Sequence, residues 1–293
     1  MSWAEVSLSI ARNRVPTVEA ALQRMGALAV TLLDDADQPV LEPSVGSTPL
    51  WPVVEMRGLF PETVGRAEVT LALLHVAGLN RPEALDWRTV VDQDWRRAWM
   101  DRFQAMRFGE RLWIVPSGMQ GPEDRQAIVL KMDPGLAFGS GTHPTTALCL
   151  RWIDSRDLAE KSVIDYGCGS GVLGIACALQ GARHVVCVDN DPQALEATRA
   201  NAVRNGVSER LECRVPEDFS SDPADLLLAN ILAGPLIGLA PRLLRSLKPG
   251  GDIVLSGVLE EQADAVARVY RDTCGEMEVR ALEGWARLHG RRV

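Results

Sequence analysis

A glycine-rich turn, Asp165 to Gly171, stands between a short apolar run and a helical pattern, and its residues are well suited to hold a ligand. Glycine has no Cβ, so its backbone can turn sharply and approach a ligand at van der Waals distance. Gly169 to Gly174 matches the spacing G-x-G-x-x-G, which dinucleotide-binding enzymes also use. The turn therefore predicts a nucleotide-type ligand against Gly167 and Gly169, and its spacing alone leaves the choice of ligand open.

Two aspartates beside this turn, Asp165 and Asp189, narrow the choice of ligand. Asp165 ends the predicted strand before the turn and is expected to place a carboxylate beside the ligand. That carboxylate would repel a pyrophosphate and attract the ammonium of a methionine moiety, which favours S-adenosylmethionine over NAD. Asp189 ends the next predicted strand, where its carboxylate can accept both ribose hydroxyls of an adenosine. The alternatives are that Asp165 only caps the turn and that Asp189 only begins a surface turn.

Asn230 is the candidate catalytic residue. It follows the predicted strand 225–229, at the sheet edge where ligands of open α/β sheets bind. Its side-chain carbonyl can accept an N–H of an amine and orient the nitrogen for methyl transfer, an in-line displacement that needs an aligned, neutral nucleophile. Asn does not titrate near neutral pH, so it cannot take the proton of the amine, and the sequence identifies no base. The alternative is that Asn230 caps the helix that follows.

The segment Asp133 to Thr146 is rich in Gly and Pro and ends at a predicted helix start. We expect it to fold over the cofactor, with Phe138 covering the methionine moiety and Thr145 or Thr146 bonding its carboxylate. A plain linker is the alternative. His143 lies in the same segment, and a lone His beside a helix start is more often structural than a general base.

Composition and charge exclude several classes of function. The chain of 293 residues has room for a large and a small domain, and it contains no apolar run of transmembrane length. The N-terminus has no basic region followed by an apolar stretch, so a cytoplasmic location is expected. The six Cys are scattered without ligand spacing, so neither disulfides nor a metal site is predicted. The net charge of -8 disfavours nucleic acid as a direct partner and favours a basic protein substrate.

The apolar periodicity predicts a small N-terminal domain and a linker. Residues 1–91 show strand and helix patterns in the order β-α-β-β-α-β, which is typical of a ferredoxin-like α+β domain. Residues 92–108 carry aromatic side chains at helical spacing and predict a linker helix. Arg107 to Pro116 and Ala127 to Met132 then predict a hairpin.

Residues 109–293 predict the larger domain, of α/β class. From Ser162 onward, strand and helix patterns alternate, which indicates a mostly parallel, Rossmann-like sheet covered on both faces. Met277 to Leu282 and Ala286 to Gly290 have no helix between them, and they predict an antiparallel hairpin at one edge. The expected total is seven strands.

Taken together, these motifs resemble the bacterial methyltransferases of ribosomal protein L-eleven, the PrmA family. The resemblance covers nearly the whole chain, and its most specific parts are Asp133 to Thr146 and Asn230 to Ala233. Ser140 and Tyr166 depart from the familiar Thr and Phe of the family, and both keep the side-chain shape approximately.

The resemblance implies a class I enzyme that uses S-adenosylmethionine to methylate the N-terminal α-amine and lysine ε-amines of that ribosomal protein, free or on the ribosome. It implies that the N-terminal domain recognises the substrate and swings on the linker helix. Cofactor binding is assigned by the resemblance to Thr145, Gly167, Asp189 and Asn230, with Asn230 also near the methyl acceptor. The motifs add Asp165, Gly169 and Phe138 as expected cofactor contacts.

Three other functions stay open at this level. An RNA or small-molecule methylase is one, because an Asn at this strand end also serves base amines. An NAD-dependent dehydrogenase is the second, and the carboxylate of Asp165 disfavours it. The third is a binding module without activity, which the intact motifs disfavour. We expect a monomer, because no long exposed apolar heptad or strand edge is evident.

Overall fold

The computed structural model describes residues 2–34, 51–79, 81–91, 104–133, 143–219 and 222–293. The chain divides into two compact units, Met1–Ala98 and Trp99–Val293. Phe138, most of the segment 133–146 and the aromatic stretch of the predicted linker helix lie outside the described residues. Among the helices that are described, none is long and apolar enough to cross a bilayer.

The first unit contains four strands and two helices in the predicted order: β1 (Ser2–Ala11), α1 (Val15–Arg24), β2 (Ala29–Asp34), β3 (Val53–Pro61), α2 (Arg66–Ala77) and β4 (Leu85–Val91). The strands lie in the order β2-β3-β1-β4, and every neighbouring pair is antiparallel. Alternate residues of β1, such as Val6 and Leu8, are buried and share one core with Leu22 of α1 and Leu73 of α2. The alternation that predicted these strands therefore marks the face that packs against both helices.

The second unit contains a sheet of seven strands with helices between them: α3 (Pro144–Asp154), β8 (Ser162–Tyr166), α4 (Val172–Leu179), β9 (His184–Val188), α5 (Pro192–Arg204), β10 (Leu211–Arg214), β11 (Ala224–Asn230), α6 (Ala233–Arg245), β12 (Leu247–Leu259), α7 (Ala263–Cys274), β13 (Glu278–Leu282) and β14 (Trp285–Arg291). The strand order is β10-β9-β8-β11-β12-β14-β13. The pairs from β10 to β12 are parallel, whereas β14 is antiparallel to both of its neighbours.

This topology creates the place where a ligand can bind. The chain winds outward from β8 to β9 and β10 in one direction and through β11 and β12 in the other. Open α/β sheets hold ligands at such a switch point, outside the carboxyl ends of the strands. Two apolar cores cover the faces of the sheet, one with α3, α4 and α5 and the other with α6 and α7. A ligand is therefore expected at the carboxyl ends of the strands, because both faces are covered by helices.

A separate sheet of three strands precedes the large one and corrects two predictions: β5 (Met106–Phe108), β6 (Leu112–Val115) and β7 (Ile128–Lys131). β5 and β6 form a hairpin, but β6 and β7 are parallel, so a hairpin between those two segments was wrong. The linker helix cannot extend to residue 108 either, because β5 occupies 106–108. The turn after β5 is fixed by a contact that is distant in sequence. The Asp154 carboxylate accepts the backbone N–H groups of Glu110, Arg111 and Leu112.

Candidate active site

A cavity of about 770 Å³ opens at the carboxyl ends of β8, β9 and β11. Its size lies within the range of about 300 to 1,000 Å³ that is typical of small-molecule sites. Side chains or backbone from several elements line it: His143, Thr145, Tyr166, Gly167, Val188, Asp189, Asn190, Pro216, Glu217, Asn230, Ile231, Leu232, Pro235, Leu239, Gly257 and Trp285. The wall combines a few polar groups with a larger apolar surface, so it can both orient and desolvate a ligand.

The glycine turn lies between β8 and α4, and its Gly167 lines the cavity. Gly167, Gly169 and Gly171 have φ angles of 77°, 54° and 79°, in the left-handed region that favours glycine. A Cβ at Gly167 would also collide with the Ile231 side chain, which lines the same cavity. The turn therefore needs glycine at this position for its backbone conformation as well as for access to a ligand.

Asp189 holds the glycine turn from the end of β9. Its Oδ2 accepts the Gly169 N–H at 2.8 Å, and its Oδ1 accepts the Asp191 N–H at 3.0 Å. The residue also lines the cavity. Each carboxylate oxygen has a second lone pair, so Asp189 can accept further hydrogen bonds from a ligand while it fixes the turn.

Asp165 lies below the turn, away from the predicted position beside a ligand. The side chain is 1% exposed, it is absent from the cavity wall, and its Oδ2 accepts the Gly174 N–H at 2.8 Å in the first turn of α4. Burial raises the pKa of this carboxyl to about 7, against the lowering effect of the Gly174 bond, and the Asp189 charge adds to the rise. The alternative weighed for Asp165, a cap on backbone N–H groups, describes the bond at Oδ2, while Oδ1 is buried without a partner among the described residues. The expected position of Asp165 on the cavity wall requires correction, because the residue does not line the cavity.

Asn230, the last residue of β11, presents a half-satisfied amide at the cavity wall. Its Nδ2 donates to Thr146 Oγ1 at 3.3 Å. Its Oδ1 is buried and has no hydrogen-bond partner among the described residues. A buried acceptor without a donor costs about 1–3 kcal/mol, so the site is suited to a ligand that brings an N–H.

Thr145 and His143 line the cavity at the start of α3. His143 caps the helix, because its Nδ1 accepts the Thr145 N–H at 3.3 Å and lies 2.7 Å from Thr145 Oγ1. Partial burial lowers the pKa of His143. Its ring meets the edge of Trp285 at 4.6 Å between centroids. These contacts fit the structural role that the sequence favoured for His143.

Comparison with known proteins adds the family to this geometry. The family model described as ribosomal protein L11 methyltransferase (PrmA) matches residues 2–293. This chain belongs to that family. Relatives named ribosomal protein L11 methyltransferase from Pseudomonas aeruginosa and Pseudomonas putida are each 48% identical to it over 293 residues. The alignments cover 100% of this chain and 99% and 100% of the two relatives, respectively.

A solved structure supports the same assignment. The crystal structure of a ribosomal protein L11 methylase from Lactobacillus delbrueckii subsp. bulgaricus is 28% identical to this chain, with a TM-score of 0.58. It covers 65% of this chain and 100% of its own. Membership of a methyltransferase family decides against the dehydrogenase and the inactive binding module that the glycine turn left open.

Several residues of this PrmA-family cavity were missed by sequence reasoning. Trp285 is the clearest case: it begins β14 directly after a tight turn in which Glu283 and Gly284 both have positive φ. Such a turn joins antiparallel strands, so β14 starts at the edge where the parallel strands end. That signal was available in the predicted hairpin. Tyr166 and Glu217, which also line the cavity, gave no comparable signal.

The polar groups of the cavity define its chemistry. Among residues 2–34, 51–79, 81–91, 104–133, 143–219 and 222–293, no group of His, Cys, Asp or Glu side chains is arranged to hold a metal ion. The cavity offers an adenosine-suited carboxylate at Asp189, an amine-suited carbonyl at Asn230 and apolar surface between them. A PrmA-family methyl donor fits this combination, because it carries hydroxyls, a charged amino-acid moiety and a small reactive methyl.

Proposed function

We propose that this chain transfers methyl groups from S-adenosylmethionine to the N-terminal α-amine and lysine ε-amines of large-subunit ribosomal protein L11. The family assignment supports the methyl transfer, since the matched family and the relatives are named for it. The observation that carries the choice of an amine acceptor is the buried, unpartnered Oδ1 of Asn230 in the cavity wall.

We propose the following division of roles around the cofactor. Asp189 accepts the ribose hydroxyls, Gly167 and Gly169 give backbone access, and Thr145 bonds the carboxylate of the methionine moiety. Phe138 is proposed as its cover. Asp165 acts through the turn, because its Oδ2 accepts the Gly174 N–H and the residue does not line the cavity. When bound, S-adenosylmethionine supplies an electrophilic methyl group on a sulfonium.

In this mechanism, Asn230 binds the acceptor amine and aligns its lone pair with the methyl group. Its Oδ1 accepts one N–H, while the Thr146 bond to Nδ2 fixes the rotation of the amide. Holding the two reactants in line removes much of the entropic barrier. The amine must lose a proton before attack, and neither Asn230 nor the capping His143 is assigned that step.

For the first unit we propose a ferredoxin-like fold that recognises the substrate. Its β-α-β-β-α-β order and its strand order β2-β3-β1-β4 support the fold. We further propose domains at 1–91 and 109–293 joined by a helical linker that ends before β5. A monomer in the cytoplasm, acting on L11 free or on the ribosome without reading nucleic acid, completes the proposal.

The direct test uses the full chain with purified L11 and isotopically labelled S-adenosylmethionine. Mass spectrometry of L11 peptides should find methyl groups on the N-terminal residue and on lysines. A sample of L11 whose amines have been blocked by acetylation is the matched control and should take up no label.

Two outcomes would overturn the proposal. Label in ribosomal RNA without label in L11 would favour a nucleic-acid methylase. No transfer to L11, under conditions where calorimetry shows that the chain binds S-adenosylhomocysteine, would mean that the acceptor is wrong while the cofactor is right.

A further inference from the structure

Ser256 on β12 is a fully buried hydroxyl next to the active site, at 0% exposure. It is the partner of Asn230 in the parallel register of β11 and β12. On the other side of β12 the register with β14 shifts between Leu255 and Val258, so Ser256 and Gly257 form an irregularity in the strand. Bulges of this kind re-aim side chains beside active sites.

The Ser256 hydroxyl joins three elements at this irregularity. Its Oγ donates to Ala286 O of β14 at 2.9 Å and lies 3.4 Å from Thr145 O in the first turn of α3. A serine hydroxyl has one proton, so the two carbonyl oxygens share it as acceptors, and Ala286 O makes the shorter contact.

Gly257 brings a fourth segment into the same arrangement. Its φ is 85°, and a Cβ there would collide with the backbone of Ile231, the residue after Asn230. The irregularity of β12 therefore supports Asn230 through close backbone packing on one side and α3 through Ser256 on the other.

The start of α3 is the part of the site that depends on this support. Thr145 lines the cavity, and Thr146 accepts the hydrogen bond from Asn230 Nδ2. His143 at the cap contacts Trp285, the neighbour of Ala286. A small shift of this turn would therefore move a cofactor contact and the anchor of the acceptor-binding amide together.

We propose that Ser256 is a positioning residue for the reaction: through its hydrogen bonds to α3 and β14 it sets Thr145 and Thr146 relative to Asn230. Ser256 does not line the cavity. This inference rests on the proposed cofactor role of Thr145, and it concerns binding of the amino-acid moiety of the donor, separately from the identity of the acceptor.

The first measurement is the calorimetric affinity of the full chain for S-adenosylhomocysteine, which requires no methyl acceptor. Ser256→Ala should weaken binding about tenfold, the size expected for a lost hydrogen bond and a displaced contact. Ser246→Ala is the matched control: its hydroxyl bonds Arg242 O at 3.1 Å, at the end of α6 and away from the cavity, and its loss should leave the affinity within twofold.

A double-mutant cycle separates positioning from general destabilisation. Thr146→Val removes the hydroxyl that anchors Asn230 and keeps the side-chain shape. If Ser256 acts through the start of α3, the two substitutions should be non-additive in affinity by at least about threefold, whereas Ser246→Ala with Thr146→Val should be additive. Ser256→Cys, a weaker donor of similar size, should restore part of the affinity and replaces Ser256→Ala if that variant fails to fold.

An affinity of Ser256→Ala within twofold of the wild type, or additivity with Thr146→Val, would overturn the positioning role. Failure of the proposed function is distinguishable from this result. In that case the wild-type chain would bind S-adenosylhomocysteine without methylating L11. The double-mutant cycle could still be interpreted, because it measures only affinity for S-adenosylhomocysteine.

Discussion

The glycine turn and the Asn230 wall face the same cavity and differ in how their polar groups are satisfied. In the turn, Asp189 accepts the N–H of Gly169, and Asp165 accepts that of Gly174. At the wall, Asn230 Oδ1 is buried with no partner among the described residues. Asp189, the turn-holding carboxylate that lines the cavity, therefore has both oxygens bonded without a ligand, whereas the cavity wall keeps an acceptor at Asn230 that a ligand can satisfy. Asp165 Oδ1 is also buried without a partner among the described residues, but Asp165 does not line the cavity.

This difference separates two ways in which a substitution can abolish activity. Changes in the turn should act on backbone geometry and cofactor affinity. Changes at Asn230 should act on turnover, and they should cost little stability, because a buried acceptor that lacks a donor contributes nothing favourable to the folded state.

The largest effect is expected for Gly167→Val. The side chain would meet Ile231 and force a β-branched residue into a φ of 77°, so affinity for S-adenosylhomocysteine should fall at least about a hundredfold. Gly206→Ala is the control, since Gly206 has a φ of 67° but open space around it. Calorimetry should find unchanged affinity for that variant, with a loss of stability of about 1 kcal/mol. Equal loss of affinity in both variants would contradict the role of the Ile231 contact.

Next in size, Asn230→Ala should lower kcat about a hundredfold, through loss of acceptor alignment. The melting temperature should stay within a few degrees of the wild type. The matched variant is Asn205→Ala, whose amide is fully used: it accepts the Lys131 N–H at 2.7 Å and donates to Lys131 O and Asn201 O at 2.8 Å. That variant should be destabilised by about 1–3 kcal/mol and keep its kcat. The reverse pattern would remove the distinction between the two asparagines.

A smaller effect, on pH dependence, is expected for Asp165→Asn. The folded-state pKa of Asp165, about 7, lies above the ordinary value of 3.8, so the native state binds the proton that the unfolded chain has lost. This contribution to stability is present at low pH and is lost as pH rises from about 4 to 7. Asn cannot lose a proton, so the variant should be more stable than the wild type by a few kcal/mol at pH 8, with little difference at pH 4. Urea unfolding at both pH values measures this.

The same variant tests where Asp165 lies. If the carboxylate touched the ammonium of the ligand, Asp165→Asn would weaken binding strongly at pH 8. The structure instead predicts a change of less than about threefold, because Asn can still accept the Gly174 N–H.

The smallest effect is expected at the opposite edge of the sheet, for Lys248→Met. Lys248 Nζ lies 3.0 Å from Asp225 Oδ2, and the Lys248 side chain is 43% exposed. Exposed pairs contribute about 0–1 kcal/mol, so stability should fall by less than about 1 kcal/mol and kcat should not change. A change in kcat would show that the two edges are coupled.

Much of the fold was predictable because its elements are long and periodic. The alternation in β1 and the strand-helix order after Ser162 predicted the elements that the structure contains. The convergence of Gly167, Asp189 and Asn230 followed from topology, since parallel strands end at one edge. Asn230 was also distinctive in sequence as a polar residue after an apolar run.

The wrong predictions concern the direction of a side chain and the direction of a strand, which the local sequence pattern does not determine. Asp165 and Tyr166 are adjacent on β8, and strand alternation sends one below the turn and the other to the cavity wall. Nothing in the local pattern decides which is which. The parallel pairing of β6 and β7 likewise depends on where the chain returns after residues 116–127, and on contacts to Asp154 from a distant helix.

The unpartnered oxygen of Asn230 also bears on how a product leaves. An amine loses one N–H with every methyl group it gains, so each transfer reduces what the acceptor can offer to Oδ1. A fully methylated nitrogen has no N–H left, and Asn230 is again without a donor. In the proposed role of Asn230, the fully methylated product therefore makes no hydrogen bond to Oδ1, and its affinity for the site should be lower than that of the starting amine.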